Sequence, residues 1–415
     1  FFGGGGIVSE SIRIVHCLSL GKVWPEPAST AAGRRTLDGI RALQAAGWRV
    51  SFACAAQPTE HSLDMAGLGV ATHAVQANDA AFDRWIAQLA PEVVLFDRFM
   101  IEEQFGWRVE NACPEALRVL DTSDLHCLRA ARQAQLKQGG ALDLYNDSAL
   151  REIAAIHRSD LTLMISEYEM QVLRAEFAIP AAQIAYWPFG LPRHNGPWPS
   201  YAARQHCMLI GSFMHPPNVD AARWCKQAIW PRIRQALPAA ELHCYGSYGD
   251  KFKAELHAPQ QGFLFKGRAQ DALATMAQYR LNLAPLRYGA GLKGKIFDGF
   301  QSGTPTLTTP IGAEGIAAAI DWGCAISADP QAFADAAIEV YRSAERWSRV
   351  QAQGQKIARE RFDAAKWQPR LAELLRCALE RRDEHRRQHF TGRMLRHHHQ
   401  RSTEFMSRWI EAKNR

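Results

Sequence analysis

Two apolar runs, each followed by a glycine-containing turn, lie close together between Arg280 and Gly315. The segment reads RLNLAPLRYGAGLKGKIFDGFQSGTPTLTTPIGAEG, in which a helical stretch joins the two runs. Two strand-to-helix turns placed side by side present backbone N–H groups where the helix dipole also favours negative charge. Lys293 and Lys295 add positive charge to the first turn. The segment therefore predicts a binding site for a diphosphate.

Strand-like and helix-like segments alternate along most of the chain, which is typical of open α/β sheets. A helix predicted at Thr36–Ala46 ends at Gly47 and completes a β-α-β opening. In the first half, strands are predicted at Ile12–Leu18, Arg49–Ala53, Val93–Asp97, Leu117–Asp121 and Leu161–Ser166. In the second half, they are predicted at Met208–Gly211, Leu242–Gly246, Phe263–Phe265, Leu281–Pro285, Thr306–Thr309 and Cys324–Ser327.

The segment Trp187–Ser200 interrupts this alternation, because its prolines cannot continue a helix or a central strand. We interpret it as an interdomain linker, since 415 residues also exceed one ordinary hydrophobic core. The predicted domains are 7–192, which is Rossmann-like, and 200–365, which is a second Rossmann-like domain. Residues 366–415 are predicted to form a C-terminal helix and a basic tail.

The composition excludes several classes of protein. A hydrophobic content of 47% with 22% charged residues excludes global disorder, and no apolar run is long enough for a transmembrane helix. The nine cysteines form no C-x-x-C pair, which disfavours a zinc site and favours reduced cysteines in a cytosolic protein.

Most of the net charge of +7 lies in the basic tail. Residues 376–415 contain eleven Lys or Arg and five Asp or Glu, a balance of +6, which leaves +1 for the rest of the chain. Three uses of this tail are open at this point. It is a solvated extension, a contact with an anionic membrane surface, or a contact with an acidic or nucleic-acid acceptor.

Residues 289–294 also match G-x-G-x-x-G, the fingerprint of dinucleotide-binding dehydrogenases. This alternative is disfavoured because the loop follows the fourth strand of its domain, whereas the dinucleotide loop normally follows the first. The next strand also ends in TTPIG, without the carboxylate that would hold a ribose.

Three successive motifs resemble the donor-binding half of GT-B glycosyltransferases, and are closest to the retaining group often called family four. They are P-L-x-x-G-A-G-L-K-x-K-I, D-G-F-x-S-G-T-P and T-T-P-I-G-A-E-G. The segment Gly211–Ala221 (GSFMHPPNVDA) resembles the loop that opens the second domain of these enzymes, and F-x-G at Phe265–Gly267 resembles a later one. The resemblance covers roughly residues 205–365 and implies two Rossmann-like domains facing each other across a cleft.

The resemblance also implies roles for individual residues. Lys293 and Lys295 would contact the donor pyrophosphate, and Asp298 would hold the ribose hydroxyls. Gly312, Ala313 and Glu314 would cap the pyrophosphate with backbone N–H groups, and the base would lie near Lys266–Arg268. The full predicted donor site comprises Gly211, His215, Gly267, Arg268, Gly289, Gly291, Lys293, Lys295, Asp298, Gly312, Ala313 and Glu314.

One residue departs from the family pattern. The first glutamate of the family's E-x7-E motif, which meets the donor sugar, would fall at Ala290. Its absence leaves the donor sugar and the choice between retention and inversion undecided, with retention favoured. No D-x-D motif appears where a metal-dependent glycosyltransferase fold would need one, so neither a metal nor a cofactor is predicted.

Polar residues after strands of the first domain are candidates for the acceptor side and for catalysis, because ligands bind at the carboxyl ends of strands in such sheets. The candidate catalytic residues are Asp121, Asp124 and His126, and the candidate acceptor-side residues are Gly33, Arg34 and Asp97. The alternative for D-T-S-D at 121–124 is a cap for a helix that begins at Leu125.

The sequence thus predicts a glycosyltransferase that moves a sugar from a nucleoside-diphosphate sugar to a hydroxyl acceptor without a metal. The acceptor is unidentified and is a glycan, a lipid-linked glycan, a protein or RNA. Three alternatives remain: a nucleotide-sugar epimerase, a sugar phosphorylase, and a catalytically weak binding protein. The predicted location is the cytoplasm, with a peripheral contact to the inner face of a membrane as an open alternative.

Overall fold

The computed structural model describes residues 14–397 and 401–413, and it contains two parallel β-sheets. The first sheet has seven strands in the order β3-β2-β1-β4-β5-β6-β7. These strands are β1 (His16–Gly21), β2 (Arg49–Cys54), β3 (Ala71–Ala74), β4 (Val93–Asp97), β5 (Leu117–Asp121), β6 (Leu161–Met164) and β7 (Ile184–Tyr186). The helices among them are α1 (Ala31–Ala45), α2 (Ala81–Leu89), α3 (Phe99–Ala112), α4 (His126–Gln138), α5 (Asp147–Arg158) and α6 (Glu167–Phe177).

The second sheet has five strands in the order β10-β9-β8-β11-β12. They are β8 (Gln205–Ile210), β9 (Leu242–Tyr245), β10 (Phe263–Gly267), β11 (Tyr279–Ala284) and β12 (Thr306–Thr308). Its helices are α7 (Pro216–Trp224), α8 (Trp230–Ala236), α9 (Lys253–Leu256), α10 (Ala272–Met276), α11 (Gly294–Ser302), α12 (Pro310–Ala313), α13 (Pro330–Arg342) and α14 (Ala344–Arg361). In both sheets the strand order reverses beside the first strand, and such switch points are where open α/β sheets bind ligands.

The two predicted Rossmann-like halves are confirmed, and most predicted strands lie within a few residues of the observed ones. The sequence missed β3 and β7, which are short edge strands of the first sheet. The strand predicted at Cys324–Ser327 is wrong. The Trp322 indole N–H donates to the Thr306 carbonyl, and Gly323 turns the chain with a φ of 90°, so this segment forms a turn beside β12. The part of the prediction that falls on residues 7–13 lies outside the described residues.

The chain passes between the two halves twice at neighbouring points. The linker over residues 187–200 contains no helix, and its Leu191 exchanges backbone hydrogen bonds with Phe362 and Ala364. Helix α15 (Ala364–Glu380) then returns to the first half, where Leu371 and Leu375 are buried in one cluster with Ile40 of α1. These contacts agree with a C-terminal crossing helix, while the exact domain boundaries stay a prediction.

Three further helices follow the crossing helix: α16 (Arg382–Gln388), α17 (Phe390–Leu395) and α18 (Arg401–Lys413). The Arg386 guanidinium binds the buried Asp160 carboxylate at 2.7 Å, and Arg108 of α3 pairs with Glu411. The alternative of a solvated extension is therefore wrong for the described part of the tail, because its own arginines and carboxylates attach it to the first half. Among the described residues, no helix is long and apolar enough to cross a membrane.

Candidate active site

A cleft of about 800 Å³ lies between the two sheets at the carboxyl ends of their strands. Its walls are the segments that follow β1, β4 and β5 on one side and β8 to β11 on the other. The predicted site residues that line it are Gly33, Arg34, Asp97, Asp124, His126, Gly211, His215, Arg268, Gly289, Lys293, Lys295 and Asp298. The structure thus brings together residues that lie up to about 265 positions apart in the sequence, as the parallel topology requires.

The glycine-rich loop between β11 and α11 approaches the first half very closely. Gly289 has a φ of 154° and Gly291 a φ of 65°, values that side chains other than glycine rarely adopt. A Cβ atom on Gly291 would lie 2.8 Å from the Cβ of Asp124. Glycine at these positions therefore allows the loop to turn its backbone into the cleft.

The two lysines of this loop lie in the cleft with polar but uncharged partners. The Lys293 ammonium donates to the Gly291 carbonyl and the Lys295 ammonium to the Asn218 side-chain oxygen, both at 2.7 Å. Burial lowers the pKa of Lys293 and lowers the pKa of Lys295 to about 8. A buried cation without a carboxylate partner is costly, so an anionic ligand placed here would gain strong charge-assisted contacts.

Asp298 and Arg34 meet across the cleft. One Nη of Arg34, in the first turn of α1, lies 2.5 Å from an Asp298 carboxylate oxygen on α11, and it also contacts Gln301. The predicted ribose-binding carboxylate and a predicted acceptor-side residue are thus direct partners in this state. A ribose could engage Asp298 only by sharing or replacing this ion pair.

The loop after β8 supports the second lysine. A Cβ atom on Gly211 would lie 2.7 Å from the Asn218 side chain and 2.9 Å from the Lys295 ammonium, so glycine leaves room for both. His215 follows in the same loop and precedes α7. Burial lowers the pKa of His215, and Arg129 and Lys295 add to this, so the imidazole is neutral near pH 7.

Gly267 and Arg268 form the end of the second half's wall. Gly267 has a φ of 74°, which turns the chain out of β10. The Arg268 guanidinium lies 3.5 Å from the Ser29 hydroxyl of the first half. Arg268 lines the cleft and Gly267 sets its backbone direction.

Gly33 and Asp97 shape the first half's wall. A Cβ atom on Gly33 would lie 2.6 Å from the backbone of Glu26, so the loop before α1 packs directly on the helix. The Asp97 carboxylate accepts from the Lys22 backbone N–H and lies 3.1 Å from Arg98. Arg98 has a φ of 73°, an unusual conformation at the end of β4.

The second turn differs from its predicted role. The Gly312 N–H donates to the Thr309 hydroxyl and the Ala313 N–H to the Thr309 carbonyl, so both are used within the turn. The Glu314 carboxylate forms a bidentate ion pair with the Arg132 guanidinium of α4, with N–O distances of 2.6 and 2.9 Å. None of these three residues lines the cleft, so in this state they do not cap a ligand there.

Asp121, a predicted catalytic residue, does not reach the cleft. Its carboxylate accepts from the Arg35 Nε at 2.7 and 2.9 Å, and Arg35 stacks on Trp187 with 4.4 Å to the ring centroid. Asp121 lies outside the cleft lining and joins β5 to α1 and the linker. Its carboxylate is held by the buried Arg35 guanidinium, and a catalytic role of Asp121 stays a prediction.

Asp124 and His126 reach the cleft. Burial opposes ionisation of Asp124, but Arg129 and His126 outweigh it and hold its pKa at about 2. The His126 ring lies 3.3 Å from the buried Glu152 carboxylate. The capping alternative is wrong: Leu125 is the N-cap of α4, and the N–H groups of His126 and Cys127 at its start donate to the Glu152 carboxylate.

Sequence reasoning missed two carboxylates that connect the halves. Glu169 of α6 is fully buried, and its Oε1 accepts from the Gly291 N–H at 2.7 Å and from the Leu125 N–H at 2.9 Å. Burial raises the pKa of Glu169 well above its usual range. The Tyr248 hydroxyl donates to Glu26 across the cleft at 2.8 Å. Neither pair has a local sequence signal, because each joins residues far apart in the chain.

No group of three or more His, Cys, Asp or Glu side chains within 14–397 and 401–413 is arranged to hold a metal ion. That a metal is unnecessary stays a prediction.

Comparison with known proteins identifies the class of enzyme. Residues 204–343 match the family model described as Glycosyl transferases group 1. The chain is a GT-B glycosyltransferase. Its reaction is sugar transfer from a nucleotide sugar. No curated relative matches the chain.

Several solved glycosyltransferase structures share the fold of this GT-B glycosyltransferase. HepE from Anabaena, in complex with UDP-glucose, is 13% identical with a TM-score of 0.66, over 87% of this chain and 99% of its own. Sucrose-phosphate synthase from Thermosynechococcus elongatus is 15% identical with a TM-score of 0.63, over 87% and 98%. A glycosyltransferase from Rickettsia africae is 10% identical with a TM-score of 0.61, over 88% and 99%.

Proposed function

We propose that the second half of this glycosyltransferase binds a nucleoside-diphosphate sugar with its diphosphate beside Lys293 and Lys295. The observation that carries this proposal is the pair of buried ammonium groups that face the cleft and that, among the described residues, donate hydrogen bonds to neutral oxygens. As the donor bond breaks, negative charge grows on the leaving diphosphate. Preplaced cations in a partly dry site stabilise that charge more than they stabilise the ground state.

The nucleoside would lie deeper in the second half. We propose that Asp298 receives the ribose hydroxyls once Arg34 shifts away from it or shares it, and that the base lies against the backbone of 266–268. The surroundings of Gly267 support this placement, because a Cβ atom there would meet nothing within 4 Å, which leaves space for a flat ring. Arg268 would then lie between the nucleoside and the first half.

We propose that the first half supplies the acceptor, with the acceptor hydroxyl near Asp124 and His126. A carboxylate with a pKa of about 2 is a weak base at neutral pH, so Asp124 would orient Arg129 and His126 rather than remove a proton. Retention and independence from metals remain part of the proposal, since the two lysines can supply the charge that a metal would. Ala290 leaves the identity of the sugar undecided.

Replacing both lysines tests the donor site. UDP is the probe, because the Anabaena neighbour was solved with a UDP-sugar. In Lys293→Ala/Lys295→Ala, the affinity for UDP should fall by about tenfold or more for each lysine, since one charge-assisted contact contributes roughly 1–3 kcal/mol. Isothermal titration calorimetry would measure this loss. Lys251→Ala/Lys253→Ala, on the same half but outside the cleft lining, is the matched control and should bind UDP normally.

Equal UDP affinity in the double variant and the wild type would contradict the donor-site assignment. If neither protein binds UDP, the same comparison with GDP and ADP decides between a different base and a wrong site.

We also propose that the enzyme acts in the cytoplasm and contacts an anionic surface through its basic C-terminal segment. All nine cysteines are free thiols, which supports a reducing compartment. The excess of basic residues in 376–415 supports the contact with an anionic surface.

A further inference from the structure

The last two helices expose large apolar side chains to solvent. On α17 and α18 these side chains are between 43% and 69% exposed, and they account for five of the large exposed apolar residues of the described chain. They are Phe390, Met394, Phe405, Met406 and Trp409. Aromatic and methionine side chains at this density on two consecutive helices mark an interaction surface rather than scattered exposure.

Helix α18 is oriented with its polar side inward. Ser407 is 3% exposed, and its hydroxyl accepts from Arg108 at 3.0 Å and donates to Asn78 at 2.9 Å. Glu411, one turn later, pairs with Arg108. An ordinary surface helix buries its apolar side and exposes its polar side. The reverse orientation leaves Phe405 and Trp409 directed away from the protein.

The exposed sides of α17 and α18 belong to one outer surface. Helix α17 packs on α5 and α18 packs on α3, while α3 and α5 pack on each other in the same layer. The approach of α17 is close, since a Cβ atom on Gly392 would lie 2.3 Å from the His157 carbonyl. Because both helices pack on the layer formed by α3 and α5, their exposed sides lie on the same outer surface of the first half.

The cations of the C-terminal segment divide into two groups. Arg382, Arg386 and Arg396 are directed inward, to Glu115, Asp160 and Glu110 respectively, and attach the segment. A second group is exposed on α17 and α18 beside the apolar side chains, and the ammonium of its last member lies 5.2 Å from the Trp409 ring centroid. This group consists of Arg393, Arg401, Arg408 and Lys413.

We propose that this outer helical face, formed by the exposed sides of α17 and α18, docks on an anionic lipid membrane. Aromatic rings and methionines would enter the boundary between headgroups and acyl chains, while the exposed cations meet lipid phosphates, Arg408 by sharing or leaving its ion pair with Glu404. Charge complementarity favours a lipid surface over a second copy of the chain, since two such faces would repel each other. The inference rests on the anionic contact proposed above and assigns it to defined residues.

Vesicle sedimentation with the full chain tests the docking. Vesicles of phosphatidylcholine alone are compared with an equimolar mixture of phosphatidylcholine and phosphatidylglycerol, at low and high salt. The wild type should sediment with the mixed vesicles and far less with neutral ones, and salt should weaken the binding. In Phe405→Ser/Trp409→Ser, binding should fall at least about tenfold, because the aromatic insertion is lost.

Leu136→Ser/Leu142→Ser is the matched control, since both leucines are exposed on the first half outside the C-terminal segment. It should bind mixed vesicles as the wild type does. Both double variants should keep the wild-type melting temperature, because the changed side chains are exposed. The proposal is overturned if the wild type does not bind mixed vesicles, or if Phe405→Ser/Trp409→Ser binds them equally well.

Light scattering tests whether a second copy of the chain, rather than a membrane, binds the outer helical face. A wild-type dimer that dissociates in Phe405→Ser/Trp409→Ser, without any binding to vesicles, would replace the membrane with a second copy. UDP affinity measured without vesicles should be the same in all three proteins, since none of these residues lines the cleft. A failure of docking therefore leaves the donor site untouched, and a failure to bind UDP leaves the docking result intact.

Discussion

The loops that follow β11 and β12 look alike in sequence but differ in what their polar groups contact. Both follow neighbouring parallel strands and lead into a helix. The β11 loop carries two lysines that meet only neutral oxygens and faces the cleft. In the β12 loop, Thr309 accepts hydrogen bonds from the N–H groups of Gly312 and Ala313, and Arg132 forms an ion pair with the Glu314 carboxylate. A loop whose ammonium groups form hydrogen bonds with neutral oxygens is suited to an anionic ligand. A loop whose carboxylate is paired with an arginine of the other half is suited to holding the halves together.

The largest expected effect is on the β11 loop. Gly291→Ala would place a Cβ atom 2.8 Å from Asp124 at a φ of 65°, so the loop has to shift. A displacement of about 1 Å near reacting groups costs roughly a hundredfold in rate, so kcat/KM should fall by about that factor. Steady-state kinetics with the donor that proves active would measure it. A near-normal kcat/KM would show that the loop does not position the donor.

The corresponding change in the β12 loop should affect stability instead. A Cβ atom on Gly312 would lie 1.8 Å from the buried Thr308 hydroxyl, far inside contact distance. Gly312→Ala should therefore destabilise the fold by about 1–3 kcal/mol, seen as a lower melting temperature. The protein that remains folded should bind UDP with close to normal affinity. A large loss of UDP affinity at an unchanged melting temperature would remove the contrast between the two loops.

The sequence was sufficient for the parts of the molecule that depend on local pattern. The strands Val93–Asp97 and Leu117–Asp121 have the predicted bounds, and the glycine loop with its lysines lies at a sheet edge as expected. It was insufficient where a side chain's partner is distant in the chain. Asp121 ends a strand at a position typical of catalytic residues. Its carboxylate is nevertheless bound by the guanidinium of Arg35, which lies 86 positions away in the sequence.

The same limit explains the carboxylates that sequence reasoning missed. Glu169 and Gly291 are 122 positions apart, and nothing near either residue in the sequence indicates their contact. For a related reason, one of the three alternatives for the basic tail, a solvated extension, is wrong: Asp160 and Arg108 on the first half provide partners for it. Pairing across a fold becomes visible only when the strand order is known.

The contrast between the loops also predicts a pH dependence. Because the pKa of Lys295 is lowered to about 8, its side chain is mostly charged below pH 8, and it loses its proton and its charge as the pH rises through 8. UDP affinity should therefore be close to full at pH 7 and fall at least about tenfold by pH 9, while the diphosphate of UDP stays almost completely ionised over this range. Lys295→Arg is the control, since guanidinium keeps its charge over this range; it should make the profile shallower but not flat, because the pKa of Lys293 is also lowered to about 8. An equally steep profile in both proteins would place the titrating group elsewhere.

The smallest expected effect concerns the contact of Arg132 with both loops. Its guanidinium binds the Glu314 carboxylate of the β12 loop and the Gly289 carbonyl of the β11 loop, at 2.8 Å in the second case. If the β12 loop acts through this pair, Glu314→Ala should weaken UDP binding about fivefold and Arg132→Ala at least as much. The double change should add little, which corresponds to a coupling of about 1 kcal/mol. If Glu314 instead contacts the diphosphate only through its backbone N–H, Glu314→Ala would keep normal affinity, because alanine retains that group. Titration of the four proteins with UDP separates a loop that acts across the domain boundary from one that touches the ligand.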